Sequence, residues 1–136
     1  MTKHTDYPTP NRTEVNDMYW SQAEEGQLVI QFCGRCQDTY FPPRVACPHC
    51  LEELEWINAS GNGTVYSYGI VHRPSQPSVF NEDVPFVLGV IELEEGCRIV
   101  SHIIECEPKD VEIGKDVRVV FDEVATGVHL PKFELV

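Results

Sequence analysis

The sequence predicts a mainly β protein: one short N-terminal helix, a small ribbon folded around a metal ion, and a closed barrel of five strands. Three observations predict it. Four of the six cysteines stand as two Cys-x-x-Cys pairs with ten residues between them. Beyond Ser60 the chain breaks into five strand-length runs separated by turn residues, the texture of a small barrel. Ahead of Gly26, apolar residues recur at the three-to-four spacing of a helix. The 136 residues suffice for one ordinary domain or two small ones that share a core. The division is 1–26 for an arm and helix, 27–59 for the ribbon and 60–136 for the barrel.

Residues 1–10 hold two prolines and mostly polar side chains, so they read as an arm with no core of its own. The helix is expected over 11–25, capped by Asn11 or Thr13, with Val15, Met18 and Tyr19 on one side, Trp20 beside them and Gly26 at the stop. A helix this short is not stable alone. It must dock its apolar face on its own domain or on another subunit. Residues 27–32 alternate polar and apolar and lead as a strand into the first cysteine pair; 51–57 form another short strand after the second pair. The barrel strands are expected over 63–72, 86–93, 98–104, 117–124 and 128–135, with glycines at 61, 63, 69, 89 and 96 fitting the bends and bulges. The loop over 74–85 holds three prolines, Pro74, Pro77 and Pro85, and the apolar pair Val79 and Phe80. It reads either as a cover over a substrate entrance or as an excursion packed on the barrel.

Cys33, Cys36, Cys47 and Cys50 are candidate ligands for one structural Zn2+. Each pair closes half a tetrahedron around a borderline-soft ion, and four sulfurs leave no open position at which water could be activated. Iron suits four thiolates too and is the rival metal. His49, inside the second knuckle, is either an exposed knuckle residue or a substitute ligand. Cys97 and Cys106 have no partner spacing and no histidine constellation, so they read as buried or half-buried thiols.

No run approaches the roughly 20 apolar residues that cross a bilayer, and the first sixteen residues have no apolar leader core, so the expected location is cytoplasmic, without membrane contact. A net charge of -12 argues against nucleic acid, whose phosphates attract basic surfaces, and only five of the ten Lys and Arg lie beyond Arg73. Gly61-Asn62-Gly63 is too short for a phosphate loop and leads into a strand. The sequence offers no self-contained active site.

The cysteine pairs sit in a longer string: Phe41-Pro42-Pro43-Arg44 between them, Ser60-Gly61-Asn62-Gly63-Thr64-Val65-Tyr66-Ser67 after them, then Val71-His72-Arg73-Pro74 and Pro85-Phe86. Glu92-Leu93-Glu94-Glu95-Gly96, Ile113-Gly114, Val117-Arg118-Val119-Val120-Phe121 and Leu130-Pro131-Lys132-Phe133 extend it. This string resembles the DUF35 family, which joins a rubredoxin-like zinc ribbon to a five-stranded OB-fold barrel. Family knuckles often place glycine directly after the second cysteine of each pair; here Gln37 and Leu51 stand there, which implies a slightly strained backbone.

The resemblance implies a non-catalytic accessory subunit that accompanies a thiolase-like catalytic subunit acting on acyl-CoA, in C–C bond cleavage or acyl transfer. The expected assembly is a hetero-oligomer, two chains of each kind. The nucleophilic cysteine and the bases of such chemistry belong to the partner. In this chain the candidate contacts with CoA or the partner are Phe41, Arg44, His72, Arg73, Lys132 and Phe133, with plain readings beside them: ribbon support for Phe41 and an ordinary surface ion pair for Arg73. The alternatives are a companion of a MaoC-type enoyl-CoA hydratase, a nucleic-acid-binding zinc-ribbon OB-fold protein, and a freestanding acyl-CoA carrier or enzyme.

Overall fold

The computed structural model describes residues 9–73 and 84–136. The arm expected over 1–10 and the loop expected over 74–85 therefore lie largely outside the described residues. The first element is helix α1 (Asp17–Glu24), six residues shorter at its start than the sequence suggests. Thr13 and Asn16 explain the delay: the Thr13 N–H donates to Asn16 Oδ1 at 2.8 Å and the Asn16 N–H to Thr13 Oγ1 at 3.3 Å. Side chains that bond nearby backbone in this way hold a turn and compete with helix, so Asn16 becomes the cap. The stop falls where expected. Gly26 adopts φ +76°, its N–H bonds to the Ala23 carbonyl, and the Gln27 N–H bonds to that of Gln22, the paired closure that a left-handed residue permits.

Tyr19 and Ala23, one helical turn apart, form the buried face of α1, while Met18 stays 45% exposed. The helix docks on its own chain. Tyr19 shares one hydrophobic core with Leu28, Val29 and Ile30 of the ribbon segment and with Val65, Ile91, Ile99 and Phe133 of the barrel.

The ribbon is a three-stranded antiparallel sheet in the order β2-β1-β3, with β1 (Val29–Cys33), β2 (Asp38–Tyr40) and β3 (Glu55–Asn58). Strand β2 has three residues, too few for an alternation to show in the sequence.

The barrel strands are β4 (Asn62–Val71), β5 (Phe86–Leu93), β6 (Arg98–Ile104), β7 (Asp116–Ala125) and β8 (Val128–Leu135), each within one residue of its expected ends. They close in the order β4-β5-β6-β8-β7. Val87, Ile91 and Leu93 of β5 and Ile99 and Ile103 of β6 point inward, the period-two burial of a sheet with one face in a core. Gly63 is required where β4 meets β5, since a Cβ there would stand 2.6 Å from the Glu92 carbonyl oxygen. The closure is uneven. Strand β6 runs parallel to β8 over only Ile103↔Phe133 and Ile104↔Glu134. Below that pair the seam is held by the Ser101 hydroxyl donating to the Pro131 carbonyl at 2.7 Å.

Candidate metal centre and helix–barrel groove

The two knuckles are built alike. The Gln37 N–H donates to the Cys33 carbonyl and the Leu51 N–H to the Cys47 carbonyl, each bond closing a turn around its cysteine pair. Both closures require a left-handed residue after the second cysteine: Gln37 has φ 59° and Leu51 φ 63°, conformations that side chains resist. The strain expected from the missing glycines is therefore present.

The turns bring the four ligand atoms of Cys33, Cys36, Cys47 and Cys50 within 4.8 Å of one another. Cys33 Sγ lies 3.5 Å from Cys50 Sγ, and Cys47 Sγ 3.9 Å from Cys36 Sγ. A tetrahedron with Zn–S near 2.3 Å has edges of about 3.8 Å, so the sulfurs already match the ion. Around Cys47, burial opposes the thiolate, but the backbone N–H groups of Cys50 and His49 and the Tyr40 hydroxyl outweigh it and hold the thiol pKa down at about 6. Cys36 goes the other way, pushed up to about 12 by its hydrogen bond with Cys50, by burial and by the other sulfurs. These residues fit one zinc ion with a closed shell, a structural site with no position for a substrate. His49 is exposed on the knuckle, and its ring faces Tyr40 with centroids 6.2 Å apart.

A second feature lies where the helix meets the β6–β8 seam of the barrel. A groove of about 390 Å³ is lined by Trp20 of α1, Phe41 of the inter-knuckle loop, Leu88, Val100, Leu130 and Lys132, among others. Phe41 enters it because its loop is clamped. The buried side chain of Gln31 accepts from the Arg44 N–H at 2.7 Å and donates to the Arg44 carbonyl at 2.9 Å. Tyr19 supports the Phe41 ring from below, centroids 5.5 Å apart.

Lys132 is 8% exposed, and its Nζ reaches Asp122 Oδ2 at 2.7 Å, with Asp122 itself 2% exposed. The candidate contact Lys132 is thus held in a buried ion pair on the barrel wall. Phe133, the other candidate on this strand, is 0% exposed and lies in the core of the barrel. The alternation of β8, with Pro131, Phe133 and Leu135 on one face, carries that signal in the sequence. The groove thus gathers Phe41 and Lys132. Arg44 is exposed next to the clamp, and His72 and Arg73 are exposed beyond the end of β4, outside the groove lining. Gln31, Trp20, Val100 and Tyr40 are contributors that sequence reasoning missed. Only the aromatic Trp20, large for so short a helix, gave a hint.

A closed four-cysteine ribbon packed on a five-stranded barrel of this order defines a zinc-ribbon OB-fold protein. Two family models match it, described as the ChsH2 rubredoxin-like zinc ribbon domain over residues 20–55 and the ChsH2 C-terminal OB-fold domain over residues 56–122. The chain belongs to the DUF35 family. A DUF35 domain-containing scaffold protein of Methanocaldococcus jannaschii is 42% identical over 108 residues, 77% of this chain and 75% of that protein. A probable enoyl-CoA hydratase alpha subunit of Thermomonospora curvata is 34% identical over 93% of this chain, which spans 39% of that subunit's length. Among solved structures, one described as Ltp2-ChsH2(DUF35) aldolase matches with a TM-score of 0.81 and 33% identity, covering 93% of this chain and 98% of the other. No helix among the described residues is long and apolar enough to cross a membrane.

Proposed function

We propose that this chain is a non-catalytic accessory subunit of a thiolase-type enzyme acting on acyl-CoA thioesters, in C–C bond cleavage or acyl transfer. The observation that carries this reading is the groove: an apolar, preformed surface beside a metal site with no free coordination position. Trp20 and Phe41 are of the aromatic type that dominates interface energetics. The ribbon acts as a platform, and Arg44 and Arg73 are exposed cations, with the exposed His72 imidazole beside Arg73, able to meet a phosphate of CoA or an acid of the partner. The names of the relatives, a scaffold protein and an aldolase partner, support a role inside a complex.

The test is to co-express the chain with a thiolase-like protein of the same genome and measure co-purification and acyl-CoA cleavage. Association with a gain of activity is expected. A partner fully active alone that does not bind the chain would sink the proposal. A MaoC-type hydratase partner is the second reading, favoured by the match to an enoyl-CoA hydratase alpha subunit over nearly the whole chain. The same co-purification with a hydratase decides between them.

A further inference from the structure

A metal bound in the ribbon gathers four thiolates, and two of them come from fully buried residues, Cys33 and Cys47. Buried anionic sulfur is cut off from water, so donors from the protein must replace the lost hydrogen bonds. For Cys33 a backbone donor does this: the Cys36 N–H lies 3.4 Å from Cys33 Sγ. For Cys47 a side chain joins in, because the Tyr40 hydroxyl oxygen stands 3.5 Å from Cys47 Sγ.

Tyr40 does not belong to the knuckle that supplies Cys47. It ends β2, pairs there with Gln31, and reaches from the first half of the ribbon to a sulfur of the second. Its ring is half-buried against the small cluster of Cys33, Cys47 and Leu54, and the exposed His49 ring lies near it, centroids 6.2 Å apart. Packing alone would be served by phenylalanine. The hydroxyl is aimed at a ligand atom.

We infer that Tyr40 is a positioning residue for the metal centre: its hydroxyl donates to the Cys47 thiolate, fixes that sulfur on the ion and slows the ion's release. The hydrogen bond stabilises the filled sulfur orbital that donates to the metal and fixes the sulfur in place, so its loss leaves a less constrained, more basic sulfur that is more readily protonated and thereby displaced. The inference rests on the zinc reading of the four cysteines, and the test separates the two.

The full chain is loaded with cobalt(II), whose thiolate charge-transfer band reports the sulfur directly, and the ion is then withdrawn by excess chelator. Tyr40→Phe is expected to bind one cobalt with four-sulfur spectra, shift the charge-transfer band to longer wavelength and release the ion about tenfold faster. A wild-type band and a wild-type release rate in Tyr40→Phe overturn the inference. Should that variant not fold, a chain grown with 3-fluorotyrosine decides, since its more acidic phenols donate more strongly at unchanged ring shape. There the band is expected at shorter wavelength with slower release, and no change overturns the inference. A native chain that binds no cobalt at all defeats the metal reading itself.

Discussion

Leu51 has a left-handed backbone at φ 63° and a side chain 79% exposed, so it carries strain without much packing in return. Leu51→Gly is expected to raise the stability of the metal-loaded protein by roughly 0.5–1 kcal/mol, seen as a higher melting temperature, because the penalty of about 1–2 kcal/mol outweighs the added freedom of the unfolded chain. No rise in melting temperature would contradict this account of the knuckle. Lys132 is the opposite case. Lys132→Met leaves Asp122 charged and buried and is expected to cost about 3–5 kcal/mol in denaturant unfolding, whereas pairing it with Asp122→Leu restores most of the loss. Burial also pushes the Tyr19 phenol well above its ordinary range. The folded chain therefore binds that proton more tightly than the unfolded one. Its contribution is intact below about pH 10 and is lost as pH rises beyond it. Denaturation midpoints are expected to fall more steeply above about pH 10 in the native protein than in Tyr19→Phe, and equal slopes would refute the assignment. Single residues were only partly legible in the sequence. The cysteines announce their role through spacing, but the burial of Lys132 depends on Asp122 across a hairpin and on the helix side of the barrel, which no local pattern encodes.

At the scale of elements, the barrel strands were legible because each is a strand-length run bounded by turn residues, with β5 and β6 alternating throughout, and the start of α1 was not, because Thr13 and Asn16 bond each other in preference to a helix. Strand β2 is created by its pairing with β1 and has almost no pattern of its own. The glycines of β4 offer a contrast on one strand. Gly63 meets the Glu92 carbonyl at once, whereas a Cβ on Gly69 finds nothing within 4 Å. Gly63→Ala is expected to lose about 1–3 kcal/mol or more of stability through displaced backbone, and Gly69→Ala to be neutral or slightly stabilising. Calorimetry on the two variants tests the register, since comparable losses would mean that β4 and β5 do not meet as described.

For the whole molecule, the main core joins α1, the ribbon strand β1 and the barrel, while the cysteines form a separate small cluster with Leu54. Chelation of the metal is expected to strip amide-exchange protection from the knuckles over 33–54 and to leave β5 and β6 protected. Simultaneous exchange throughout would show instead that metal and barrel form one cooperative unit.

The short parallel contact between β6 and β8 bears on this too. Two register pairs and a serine hydroxyl help to fasten this side of the cylinder, and the groove runs along the same line. Anything that fills the groove acts as a clasp across this join. Its affinity is then written into the melting curve of the barrel, which gives a way to rank candidate partners by heat alone.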